Sequence, residues 1–165
     1  MKVTGKGSDR IVSGALYLLG AAMVLWTGFG LINRGMDIRL FKDYLLRWEI
    51  CLTEYGDRQG QWPVFTGDNH TAYMDRLIAG MTCLGIAPPA SNTKAAYHYR
   101  IKKFGQADEN VFVLCLPGRM VIFGLSKQSL LQVERLIDRH VDLSNGRITG
   151  RPGKEPGAYI GQWRL

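Results

Sequence analysis

Between Ile11 and Ile32 the chain has no charged residue, and its only clearly polar side chains there are Ser13 and Thr27. That absence excludes an ordinary surface helix, which keeps a polar stripe along one side. At about 1.5 Å per residue a helix of this length reaches roughly 33 Å, enough to cross a hydrocarbon core of about 30 Å. The segment therefore reads as a transmembrane helix over 11–32, preceded by a basic tail over 1–10. A cleaved signal sequence has an apolar core of about 7–15 residues ending in small residues. Here the small pair Ala21–Ala22 lies in mid-span, which predicts an uncleaved anchor. Lys2, Lys6 and Arg10 before the helix face Arg34, Arg39, Lys42 and Arg47 after it. The positive-inside rule is nearly balanced and by count slightly favours a cytoplasmic C-terminal domain.

The other deficits are chemical. There are three cysteines, Cys51, Cys83 and Cys115, none in a C-x-x-C pair, and an odd count cannot form a closed intrachain framework. Each sits among apolar neighbours, which predicts free, buried thiols, with one disulfide as the alternative and metal or redox chemistry a lesser one. His70, His98 and His140 are isolated, so the short ligand spacings of a zinc site are missing. The G-x-S-x-G elbow, the Walker phosphate loop and the dinucleotide fingerprint are absent. A Cys–His pair can assemble from distant positions, but nothing singles one out. No catalytic residue, cofactor or enzyme activity is expected. Asp138, Asp142 and Asn145 could offer hard oxygen ligands to calcium, against the plainer reading of solvated charge beside Arg139 and Arg147. The net charge is +7, yet no run of five or six like charges occurs, so no nucleic-acid tail is present. Arg100, Lys102 and Lys103 read as a solvated strand face that could meet phosphate or lipid headgroups.

Within the apolar run Gly14, Leu18, Ala21, Leu25 and Gly28 recur at three- and four-residue spacings. They form one stripe in which small residues let a partner helix approach closely; glycine and alanine are also common in any transmembrane helix. Beyond Asn33-Arg34-Gly35, Ile38, Phe41, Leu45, Trp48, Leu52 and Tyr55 continue the alternation, with Gly56 as a stop. This predicts an amphipathic helix over 33–56. One helix of about 45 residues and two helices hinged at Gly35 both satisfy the pattern.

A soluble α+β domain over 57–165 is expected to follow. Gly56 to Gly67 is turn-rich, with Trp62 and Phe65 able to pack back. Asn69 or Thr71 is placed to cap a helix carrying Met74, Leu77, Ile78, Met81 and Leu84, ended by Gly85 and Pro88-Pro89. Three strands are predicted, at Tyr97–Phe104, Val111–Leu116 and Met120–Leu125, the last two joined through Pro117-Gly118 as an antiparallel hairpin. Leu130, Val133, Ile137 and Val141 predict a helix from about Lys127 to Val141 with Ser126 as cap. The remainder reads as a glycine-rich loop ending in a short strand at Ala158–Arg164 that closes the sheet.

An apolar N-terminal helix continuing into an amphipathic one, then a loop, then an antiparallel sheet, resembles the type IV pilins and the pseudopilins of type II secretion. Tyr55 followed by Gly60-Gln61-Trp62-Pro63 is similar to the stretch after the first pilin helix. Ile137-Asp138, Asn145-Gly146 and Gly150 resemble the C-terminal loop of pseudopilins. The chain departs from these proteins at the prepilin-peptidase site: Gly7 precedes the apolar run by several residues, and no Glu occurs before Glu49. The resemblance implies a non-enzymatic subunit of the inner (cytoplasmic) membrane with a periplasmic domain. Such a subunit forms homo- or hetero-oligomers through its N-terminal helix, using Gly14, Leu18, Ala21, Leu25 and Gly28 in the membrane and Ile38, Phe41, Leu45 and Trp48 above it. The alternative is a membrane-tethered binding module outside any filament.

Overall fold

A computed structural model describes residues 5–139 and 141–165, with side chains from Arg10 onward. The rest of the expected basic tail, including the side chain of Lys6, and His140 lie outside it. The N-terminal helix is continuous. α1 (Gly5–Arg39) passes without a break at Gly35 into a π-helical segment (Leu40–Leu45) and then α2 (Leu46–Asp57). From Arg10 to Asp57 this makes one helix of 48 residues, long and apolar enough to cross a membrane. Of the two readings left open by periodicity, the single helix is the one found.

The irregularity falls at Leu40–Leu45, and burial explains its place. The inward residues are Asn33, Asp37, Leu40, Leu45, Trp48, Leu52 and Tyr55, so one step in the seam is five residues. In an α-helix a five-residue step turns the side chain about 140° off the seam. The widened turn, in which the Leu46 N–H donates to the Phe41 carbonyl, returns Leu45 to the buried side.

Five strands form one antiparallel sheet in the order β1-β2-β3-β5-β4: β1 (His98–Ile101), β2 (Glu109–Leu116), β3 (Arg119–Ser126), β4 (Ile148–Pro152) and β5 (Ala158–Arg164). With two further helices, α3 (His70–Cys83) and α4 (Lys127–Asp138), the fold is α+β as expected. Pro117-Gly118 turns the β2–β3 hairpin, with Gly118 at φ 69°. β5 pairs with β3 but does not close the sheet, because β4 lies beyond it at the edge. β4 is a correction to the expected loop: Gly150 and Pro152 disguise it, and it survives because it is an edge strand.

Register places Tyr99, Val111, Val113, Cys115, Met120, Ile122 and Trp163 on one face, all buried. The upper half of the long helix lies on this face. Trp48 Nε1 donates to Tyr99 Oη at 2.7 Å, Tyr44 lies tilted against Tyr99 with centroids 4.2 Å apart, and Phe41 stacks on Trp163 at 5.9 Å. Leu130 of α4 covers the glycines of β4 and β5; a Cβ at Gly150 would lie 2.4 Å from it and one at Gly161 2.9 Å. α3 guards the stretch of β2 beyond the end of β1, where the Cys115 N–H donates to Met74 Sδ at 3.3 Å.

Local predictions resolve individually. Ser126 caps α4, accepting from the Ser129 N–H at 3.1 Å. α4 stops at Asp138, because Arg139 adopts the left-handed conformation, so Val141 lies outside it. Asn69 occupies the N-cap position of α3 but its side chain bonds Thr66 and Val64 instead. Tyr55 donates to the Gln61 carbonyl at 2.7 Å and meets Trp62 edge-on; its ring lies where a Cβ at Gly60 would be, 2.4 Å away.

Of the three free cysteines, Cys51 and Cys115 are buried and Cys83 is exposed, the last a correction. It ends α3 two residues past the buried Met81, about 200° round the helix and so on the side turned away from the core. Burial pushes the Cys115 thiol well up and the Cys51 thiol up. A thiol must ionise to react. Titration of the folded chain with an aromatic disulfide at pH 8 will therefore modify one thiol per chain rapidly, and Cys83→Ser will remove that phase.

Candidate functional site at the base of the domain

Two stretches with different surroundings meet where the helix enters the domain. Below Phe29, the large apolar side chains of α1 have no cover: Tyr17 is 80% exposed, Leu18 74% and Trp26 81%. Above it the same helix is a core element. The junction is built from polar residues, which is unusual for so buried a place.

Asn33 is 6% exposed and makes a reciprocal pair of hydrogen bonds with the backbone of Phe104. The Phe104 N–H donates to Asn33 Oδ1 at 2.7 Å, and Asn33 Nδ2 donates to the Phe104 carbonyl at 3.0 Å. One turn higher, Asp37 pairs with Lys103, with side chains only 4% and 3% exposed. The Lys103 ammonium also donates to Ser129 Oγ at 2.8 Å and lies 3.6 Å from Glu109 Oε1. Ser129 in turn donates to Glu109 Oε1 at 2.7 Å. Helix α1, the β1–β2 connection, β2 and the N-terminus of α4 thus converge on one ammonium.

Lys103 is a correction: the run Arg100, Lys102, Lys103 is not a single wet face. Arg100 pairs with Asp108 at 2.9 Å in the open and Lys102 is exposed, while Lys103 is buried. Alternation held the clue, because Tyr97, Tyr99 and Ile101 are the inward residues and 103 continues their parity. Asn33 and Asp37 carry a similar trace, four residues apart and in phase with Leu40.

The residues expected to pack helices separate into two sets. Gly14, Leu18, Ala21 and Leu25 are exposed and Gly28 is half-buried. At 100° per residue this stripe lies roughly a quarter-turn from the face carrying Phe29, Asn33 and Asp37, so the domain does not cover it. Above the junction Leu45 and Trp48 are fully buried in this chain's own core, and Ile38 and Phe41 are half-buried.

The calcium candidates serve the chain itself. Asp138 accepts the N–H groups of Arg147 and Ile148 at 3.0 and 3.1 Å. Asp142 accepts from Ser144 and Asn145, and those hydrogen bonds hold its carboxyl below the usual range. Among the described residues no group of three or more His, Cys, Asp and Glu side chains is placed to hold a metal ion. His98 and Cys115 lie on opposite faces of the sheet by register. His98 is packed against Phe112, ring centroids 4.9 Å apart.

The chain matches no family model, no curated protein and no solved structure.

Proposed function

We propose that this protein is a non-enzymatic, single-pass membrane subunit. It presents its α+β domain on a rigid helix and assembles with like or related subunits, in the manner of a pilin or pseudopilin, by packing the lower half of that helix. One observation carries the reading: a single helix is uncovered over its apolar half from Arg10 to Thr27 and packs one face into the domain core over its other half. The uncovered half exposes large apolar side chains on every side, which water does not tolerate and a bilayer requires. With Leu45 and Trp48 engaged internally, the stripe Gly14, Leu18, Ala21, Leu25 and Gly28 is the surface left for a partner helix. The missing Glu before Glu49 means that register between subunits rests on this packing rather than on a buried carboxylate. In keeping with the resemblance to pilins, we infer a domain on the periplasmic side of the inner membrane.

Single cysteines along the apolar half, in the full chain carrying Cys83→Ser, test this. Oxidative crosslinking in native membranes will concentrate at Gly14, Ala21 and Gly28 and fall at Leu16 and Met23 on the opposite side. Equal, weak crosslinking around the helix would leave only a membrane-tethered module.

A further inference from the structure

The connection between β1 and β2 has a tip, Phe104-Gly105-Gln106, whose three residues are all exposed. Its height along α1 is fixed by the bonds of Asn33 to Phe104 and of Asp37 to Lys103. The Phe104 ring lies 4.7 Å from the Phe29 ring, centroid to centroid, yet remains 52% exposed. Phe29 stands three residues before Ile32, about 4.5 Å below the end of the uncharged run. The loop tip therefore reaches down to the last apolar turn of the helix. Trp26 sits one turn lower on the same side, and a crevice of about 270 Å³ runs between Trp26, Phe29, Phe104, Gln106 and Gln128.

The charge around this tip that is not taken up in salt bridges among the described residues is positive. Arg34, Lys102 and Lys127 are exposed and make no salt bridge among the described residues. Lys127 adjoins Gln128, which lines the crevice. The nearby acids Asp37, Asp108 and Glu109 are engaged with Lys103 and Arg100. An aromatic side chain at the level where tails meet headgroups, ringed by free cations, matches an anionic bilayer surface.

We propose that the base of the domain is a second membrane contact: Phe104 seats in the acyl–headgroup boundary, while Arg34, Lys102 and Lys127 engage anionic headgroups. This rests on the reading that the apolar half of α1 spans the bilayer. The domain then stands on the membrane at two points and does not swing about its helix.

Spin labels in the full chain carrying Cys83→Ser, reconstituted in nanodiscs of zwitterionic lipid with about one-third phosphatidylglycerol, test it by accessibility to oxygen against a water-soluble nickel chelate. Labels at Leu18→Cys and Asn145→Cys define the lipid and water limits. Asn145 neighbours Arg147, which pairs with Glu49 far up the helix. The label at Gln106→Cys is expected between the limits, shielded from the chelate at least threefold relative to Asn145. Lys102→Glu with Lys127→Glu is expected to abolish most of that shielding. If Leu18 reports lipid but Gln106 matches Asn145, the second contact is wrong and the span stands. If Leu18 itself reports water, the span reading falls and the proposal with it. Shielding unchanged by the two charge reversals would overturn the anionic headgroup contact.

Discussion

Lys103→Ala will destabilise the folded domain by about 3–5 kcal/mol, the range for breaking a buried ion pair from one side. The loss comes from what remains. Asp37 is 3% exposed and Glu109 8%, so two carboxylates are left buried beside one another without a counter-charge. Glu109 Oε2 already has no hydrogen-bond partner among the described residues, which leaves that carboxylate little reserve. Hydrogen exchange of the β2–β3 amides in detergent micelles measures the effect on global unfolding without requiring the apolar helix to leave the micelle. Replacing Lys103, Asp37 and Glu109 together with Met and Leu removes all three charges. That variant is expected to lie within about 1–2 kcal/mol of the parent, because a buried ion cluster contributes little relative to apolar residues of similar volume. If the single and triple variants lose the same stability, the cluster does not act through charge.

The second large effect belongs to Trp48. Its side chain is fully buried and its indole N–H donates to Tyr99 Oη. Trp48→Ala will cost about 3–5 kcal/mol, as expected for removing a large aromatic from a packed core. Trp48→Phe keeps much of the ring and is expected to cost about 1–2 kcal/mol, combining lost volume with the lost hydrogen bond. Tyr99 Oη keeps a partner in the smaller variant, because it also donates to the Ala96 carbonyl at 2.9 Å. The signal of Trp163, buried on the same face, reports unfolding in both variants. Near-equal losses for Ala and Phe would mean that the hydrogen bond, rather than the packing, holds the helix to the sheet.

Trp48 and Lys103 show which parts of this molecule could be read from sequence. Leu45, Trp48, Leu52 and Tyr55 follow the helical period, and all four prove buried on one side. The turn at Pro117-Gly118 and the strand Ala158–Arg164 were legible because turn chemistry and alternation point to them without help from distant residues. The junction was not. Asn33, Asp37 and Lys103 are polar, and a polar residue is assigned to solvent unless its partner is known. That partner lies 71 residues away for Asn33 and 66 for Asp37. β4 was hidden for a related reason: Thr149-Gly150-Arg151-Pro152 has little strand propensity, and pairing with β5 overrides it. The π-helical turn follows from tertiary packing, since only the sheet face decides that Leu45 and not Phe41 or Tyr44 completes the seam.

The small-residue stripe stands differently. Its exposure and its angle from the domain make it available to a partner helix, and availability is a geometric fact about one chain. Its use by a second chain is the subject of the crosslinking experiment. The junction would matter to the proposed assembly because it prevents the domain from rotating about the helix. Two hydrogen bonds at Asn33 and the ion cluster one turn above fix azimuth as well as height, so packing between helices would set the mutual orientation of the domains they carry.

Continuity of the helix through Gly35 is the claim on which this account depends. Spin labels at Val12→Cys and Ile50→Cys, both positions more than half exposed, measure it directly in the full chain carrying Cys83→Ser in nanodiscs. At 1.5 Å per residue the two backbone positions are about 57 Å apart along one helix axis. Pulsed dipolar spectroscopy is expected to give a single narrow distribution near that distance. A broad distribution, or one centred well below about 50 Å, would show a hinge between the apolar half and the domain and would contradict the rigid helix.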